Sequence, residues 1–143
     1  MEIKFLINKK GLFENNQPVG EIQHKAFSSE TLANLKGTKL RIEKLNWYGS
    51  VYYIYDQANQ ELLGQTKFNF WGSKAEIIIR GQHFLFCTRN FWDSEWAIES
   101  EGRDLVRFET KTVGGTISGE EDVELLTLIG FFLIHHKLRR AAV

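Results

Sequence analysis

Val123-Glu124-Leu125-Leu126-Thr127-Leu128-Ile129-Gly130-Phe131-Phe132-Leu133-Ile134 is the stretch on which the fold of this chain turns. As a helix it has no polar face beyond Leu125, because only Thr127 and Gly130 interrupt the apolar run. A helix apolar on every side has to be surrounded, either by a protein core or by lipid. The run is about a dozen residues and a membrane span needs roughly 20, so a core helix is expected. Ser118 and Glu121 have the spacing of an S-x-x-E capping box, and Glu120, Glu121, Asp122 and Glu124 would sit at the positive end of the dipole. His135, His136, Lys137, Arg139 and Arg140 gather at the negative end, where cations are favoured. The expected helix covers residues 119–140, after a run of strands over residues 2–118.

Upstream, the pattern is strand, turn, strand. Candidate strands are 2–8, 19–25, 39–45, 50–56, 61–68, 75–80, 82–88, 95–99, 104–110 and 112–117; 32–35 reads equally as a helical turn or a strand. They are rich in Val, Ile, Tyr, Phe and Trp and are punctuated by Asn, Asp and Gly. Such short, evenly spaced strands argue for a sandwich or a barrel rather than βαβ units. A faint repeat runs through them: Asn46–Tyr55 lines up with Asn90–Glu99, and the segment from Leu12 to Ile22 is a poorer third copy. The spacing suits a propeller blade, but three blades would not close and would leave the terminal helix unused. A barrel closed around the helix uses both features and leaves no exposed sheet edge.

The hairpin Ile54-Tyr55-Asp56-Gln57-Ala58-Asn59-Gln60-Glu61-Leu62-Leu63-Gly64 has the form strand, Asp, polar turn, strand, Gly. With one hydrophobic helix at the end of the chain, it resembles the tubby C-terminal-like superfamily, and within it the small LURP-one-related members. The resemblance extends over nearly all of residues 1–143. It implies one mainly β domain, a closed antiparallel barrel of about twelve strands with the hydrophobic helix threaded through its lumen. Animal tubby proteins bind phosphoinositides, and phospholipid scramblases are relatives. Tubby's phosphate-binding residues find no counterpart here, so the resemblance does not carry that activity over.

Bulk properties narrow the function classes. With 143 residues, 43% hydrophobic and 25% charged, the chain suits a single globular domain. A formal net charge of zero argues against a partner in duplex nucleic acid. Basic residues outnumber acids up to Lys44, and acids dominate from Asp93 to Glu124, a polarity that solvated faces explain. The single cysteine, Cys87, excludes an internal disulfide and suits a reducing compartment. Met1–Asn8 is too short and too charged for a signal peptide. A cytoplasmic protein without a transmembrane span is expected.

Motifs with chemical meaning are scarce. Gly114–Gly119 matches G-x-x-x-x-G, but Glu120 and Glu121 stand where a phosphate loop needs Lys and Ser or Thr, so a flexible loop leading into the helix is expected. Arg80–Leu85 partly matches an RNA-recognition strand but lacks the stacking rings. His83 and Cys87 share a strand face yet stand roughly 13 Å apart, too far for one ion. His135 and His136 point in different directions and are read as complements to the dipole, and His24 looks isolated. Glu99 and Glu101, near Arg103 and Arg107, read as solvated ion pairs. Cys87 lies in an aromatic strand and reads as packing. Trp47, Tyr48, Trp71, Phe91, Trp92 and Trp96 cluster beside turns, as rim packing or as a binding patch.

The expectation is therefore a non-enzymatic binding or scaffold module that needs no cofactor or metal. Its partner would be a protein or the anionic head groups of a phospholipid surface, met through Lys137, Arg139 and Arg140. The alternative is an enzyme with its site at a barrel mouth. A histidine or perturbed carboxylate beside a nucleophile in a pocket would favour that alternative.

Overall fold

Alternation of side chains along each strand builds the sheet. In β1 (Glu2–Leu6) Ile3 and Phe5 are buried between exposed Glu2 and Lys4, and in β8 (Lys74–Ile79) Ala75, Ile77 and Ile79 are buried while Lys74 and Glu76 face out. Ten further strands complete the sheet, with the alternation clearest in β4 and β6: β2 (Gly11–Glu14), β3 (Gln17–His24), β4 (Glu30–Leu35), β5 (Thr38–Lys44), β6 (Val51–Asp56), β7 (Leu62–Phe68), β9 (Gln82–Thr88), β10 (Glu95–Ser100), β11 (Arg103–Thr110) and β12 (Gly114–Gly119). The computed structural model describes residues 2–6, 10–25, 28–45, 51–69, 74–90, 94–111, 113–120 and 122–141, with the backbone alone over 137–141.

Every strand pairs antiparallel with its sequence neighbours, and β1 pairs with β12, so the sheet closes into a 12-strand barrel. Closure removes the edges that an open sheet would expose. At one end the hairpins are tight, and both central residues have positive φ at Asn15-Asn16, Lys36-Gly37, Arg80-Gly81 and Glu101-Gly102. That conformation matches the right-handed twist of the strands it joins. The register shifts at Leu12/Phe13, Ile54/Tyr55 and Ile98/Glu99. The last two occupy equivalent places in the sequence repeat, which thus marks a recurring bulge as well as a recurring hairpin.

Helix α1 spans Glu124–Ala141, not 119–140. Strand β12 continues to Gly119, where it pairs with Val106, and Ser118 lies opposite both Glu2 and Arg107, so Ser118 caps nothing. The first helical bond runs from Thr127 N to Val123 O at 2.8 Å, and Glu124 is the acidic residue of the first turn. Of the two expectations for the glycine stretch, the strand at 112–117 is the one that holds, and the flexible loop is corrected. Gly114 and Gly115 are strand residues, and a Cβ on Gly115 would stand 1.9 Å from the Glu109 carbonyl oxygen and 2.7 Å from the Phe5 ring. Residues 32–35 belong to strand β4.

The core joins inward strand residues to α1, whose Leu126 to Ile134 are all buried. Phe131 meets Phe5 of β1 with ring centroids 5.3 Å apart, and Phe132 meets Tyr52 of β6 at 5.1 Å. α1 also lies against β4. At Gly130 a Cβ would stand 2.2 Å from the tip of the Phe108 ring in β11. An aromatic pressing on this glycine is what its cost in mid-helix leads one to expect. Among the described residues no helix is long and apolar enough to cross a membrane.

Candidate functional site

At the barrel end where β3 and β5 finish and β4 and β6 begin, the inward alternation continues but its chemistry changes. Two residues beyond buried Ile22 comes His24; two beyond Ile42 comes Lys44. Thr31 precedes Ala33 by two, and Tyr52 precedes Ile54 by two. Register sets these four side by side, with His24 opposite Thr31 and Lys44 opposite Tyr52. From α1 come Phe132, His135 and His136, adjacent by helical spacing.

Together these residues line a cavity of about 310 Å³, with Ser28 and Ser29 at the β3–β4 turn and Ile22 completing it. His24 Nδ1 lies 3.1 Å from Thr31 Oγ1. The Tyr52 hydroxyl lies 3.0 Å from His136 Nε2, and the His136 ring stacks on Phe68, with centroids 5.8 Å apart and planes at 24°. His135 is buried. Among the described residues no Asp or Glu lines this cavity. Three histidines share it, yet among the described residues no set of His, Cys, Asp or Glu is placed to hold a metal ion. His24 is therefore not isolated, and His135 and His136 look into a cavity well before the last turn of α1.

A second polar cluster sits on the outer wall. Arg89 ion-pairs with both Glu99 and Asp104, which the β9–β10–β11 ladders bring alongside it, and Asp104 also pairs with Arg107. Arg103 pairs with Glu120. Of the ion pairs expected between Glu99 and Arg103 or Arg107, Glu99 instead pairs with Arg89 and Arg103 with Glu120, both farther off in sequence, while Arg107 pairs with Asp104 three residues away. Cys87 packs against Arg89, and burial pushes its thiol up. The hydrogen bond from Arg89 holds the Asp104 carboxyl below its usual range. A group with a depressed folded value stabilises the fold above its unfolded pKa, about 3.9 for Asp. That stability disappears as pH falls through the folded value. Thermal melts of the wild type should therefore lose stability as pH falls below about 4, and Arg89→Gln should flatten this loss while lowering stability at neutral pH. An unchanged acid limb in Arg89→Gln would show that Asp104 contributes nothing to it.

No family model, no curated protein and no solved structure matches this chain.

Of the residues expected to meet anions, Lys137, Arg139 and Arg140 lie on the backbone of α1 immediately beyond His136, and their side chains fall outside the described residues. The segments holding Trp47, Tyr48, Trp71, Phe91 and Trp92 also lie outside them. Trp96 is no surface anchor: it is buried and stacks on Phe86 at 5.0 Å with an interplanar angle of 5°. The mouth cavity itself escaped sequence reading, although the signal was present. In four strands the apolar alternation ends on a polar residue at the same end of the barrel.

Proposed function

We propose that the chain is a non-enzymatic binding module of the tubby C-terminal-like type, with α1 filling the barrel lumen and the histidine-lined mouth as the working face. Contacts of α1 with β1, β4, β6 and β11, which are spread around the ring, support the filled lumen. A filled lumen leaves no room for a lipocalin-like ligand, so recognition moves to the mouth or the outer wall. The observation that carries the choice is a mouth cavity whose described lining holds histidines and Lys44 and no carboxylate, next to the helix turn bearing Lys137, Arg139 and Arg140. In the cytoplasm that turn would meet the anionic head groups of a phospholipid surface.

Each basic residue at such a surface contributes about 1 kcal/mol, so replacing three with Gln should weaken association on the order of 100-fold. Co-sedimentation with vesicles containing phosphatidylserine, against purely neutral vesicles, checks this at low and physiological salt. The wild type should favour anionic vesicles at low salt, and the Lys137/Arg139/Arg140→Gln variant should not. Equal binding to both vesicle types, or no loss in the variant, would leave a protein-binding scaffold.

One observation favours the enzyme alternative: His24 and Thr31 stand as a base and a nucleophile in a cavity. They are also direct cross-strand partners in the β3–β4 ladder, which brings them together without any catalytic purpose. Hydrolysis of an activated ester that vanishes in Thr31→Val would decide for the enzyme.

A further inference from the structure

We infer that the outer wall over β10, β11 and β12 is a docking groove for an extended peptide that presents a lysine. The inference stands apart from the mouth and from any membrane contact. Short side chains lie beside long ones on this face. Thr116 and Ser118 of β12 are short, whereas Glu95 of β10 and Arg107 and Glu109 of β11 stand up next to them. The ladders set Glu95 opposite Glu109, Glu109 opposite Thr116, and Arg107 opposite Ser118. The result is a cavity of about 400 Å³, a size at which ligands bind. A second cavity of about 200 Å³ adjoins it through Asp104, Arg107 and Ser118, so the depression lengthens towards Glu120.

Charge selects the occupant. Two arginines and two acids of the wall offset one another, since Arg89 pairs with Glu99 and Asp104, and Asp104 also with Arg107. Glu95 and Glu109 are left over. They are exposed, stand directly opposite each other, and form no ion pair with a described residue. Lys4, beyond Thr116 in the ladder, and Lys111, two residues beyond Glu109, pair with neither. Phe91, Trp92, Asp93, Thr112 and Glu121, neighbours in sequence that lie outside the described residues, include no cation. Like charges directly opposite on a sheet destabilise it, and a cation between the two carboxylates removes that repulsion.

Geometry favours lysine among cations. An ammonium is a compact charge with three donors, suited to two carboxylates on separate strands, whereas the planar fork of arginine matches a single carboxylate. Among the described residues no set of His, Cys, Asp or Glu is placed to hold a metal ion here. A peptide also brings carbonyl acceptors. Arg107 gives its Nε to Asp104 at 3.1 Å, and its side chain is 73% exposed, so its terminal nitrogens and the Ser118 hydroxyl can donate to a carbonyl. Arg107 and Glu109 are two strand residues apart, roughly 6.6 Å, about the reach of a lysine ammonium from its own carbonyl. The closed barrel offers no edge, so the peptide is held by these side chains and not by strand addition.

The test is a titration of the full chain with Gly-Lys-Gly, acetylated and amidated, followed by backbone amide NMR at low and physiological salt. The same peptide with norleucine in place of lysine, and putrescine, serve as comparisons. The lysine peptide should shift resonances at Glu95, Arg107–Glu109 and Thr116–Ser118, and bind more weakly as salt rises. The norleucine peptide and putrescine should each bind several-fold more weakly, lacking the cation or the carbonyls. Glu95→Gln/Glu109→Gln should lose about tenfold in affinity, with a melt unchanged or raised because the opposed charges are gone. Glu95→Gln alone provides a second variant if the double one fails to fold, with a smaller loss. Equal binding of the norleucine peptide or of putrescine, shifts confined to other faces, no binding at millimolar concentration, or full affinity in the folded double variant would overturn the inference. The Lys137/Arg139/Arg140→Gln variant separates this surface from the mouth. Its peptide affinity should equal the wild type's whatever the vesicles show, and a loss there would overturn the groove as the binding face.

Discussion

A chain ending at Asp122 is expected to be insoluble, or to give no cooperative unfolding transition. The deletion removes Leu126, Leu128, Ile129, Phe131, Phe132, Leu133 and Ile134, all buried, and leaves the residues they cover, such as Phe5, Phe108 and Tyr52, facing water. Burying one such side chain is worth about 1.5–3 kcal/mol, and a whole domain is stable by only about 5–15 kcal/mol. Losing seven at once, about 10–20 kcal/mol, therefore matches or exceeds the stability the domain has to lose. Expression of the truncated chain, followed by near-ultraviolet circular dichroism and a thermal melt, checks this. A soluble, monomeric truncation with a sharp melt would show that the sheet holds its shape without the helix, and the filled-lumen reading would be abandoned.

The second large effect is expected at one atom pair. A methyl group at position 130 would stand 2.2 Å from the tip of the Phe108 ring, far inside contact distance. Phe108 is 1% exposed and meets Phe86 edge-on at 6.0 Å, so its ring has little room to retreat. Alanine ordinarily gains about 1 kcal/mol over glycine within a helix, and here the clash should outweigh it. Gly130→Leu should cost about 3 kcal/mol, which for a chain of this size lowers Tm on the order of 10 °C. Gly130→Ala should cost less but remain negative. Combining Gly130→Ala with Phe108→Leu should recover part of the loss, a coupling that a double-mutant cycle measures directly. A raised Tm in Gly130→Ala, or strict additivity in the cycle, would mean that the ring and the helix do not press on each other.

Where alternation was long and unbroken, strand positions were legible from residues alone. Gln82–Thr88 matches its expected bounds, and most other strands differ by one or two residues. Gly11–Glu14 was missed because four residues carry too little period to register. The helix start was misplaced for a different reason. Ser118 and Glu121 satisfy a local capping pattern, but pairing of β12 with β1 and β11 extends the strand through Gly119 and overrides it. The mouth cavity was hidden by sequence distance. His24 and Thr31 meet across a hairpin, but His136 and Tyr52 are 84 residues apart, a pairing that packing of α1 against β6 creates. Ion pairs followed the same rule: Arg89 reaches Asp104 across 15 residues, while its sequence neighbours offered no hint.

The seam between β1 and β12 has a consequence for how the molecule comes into being. Eleven of the twelve strand pairings join consecutive strands and can form as soon as each hairpin leaves the ribosome, whereas the twelfth joins Glu2–Leu6 to Gly114–Gly119. Until β12 has been made, β1 keeps one unpaired edge and the growing sheet another, each a template for strands of a neighbouring nascent chain. Translation speed over the second half of the message and access to a holdase chaperone thus bear on yield separately from the stability of the finished barrel.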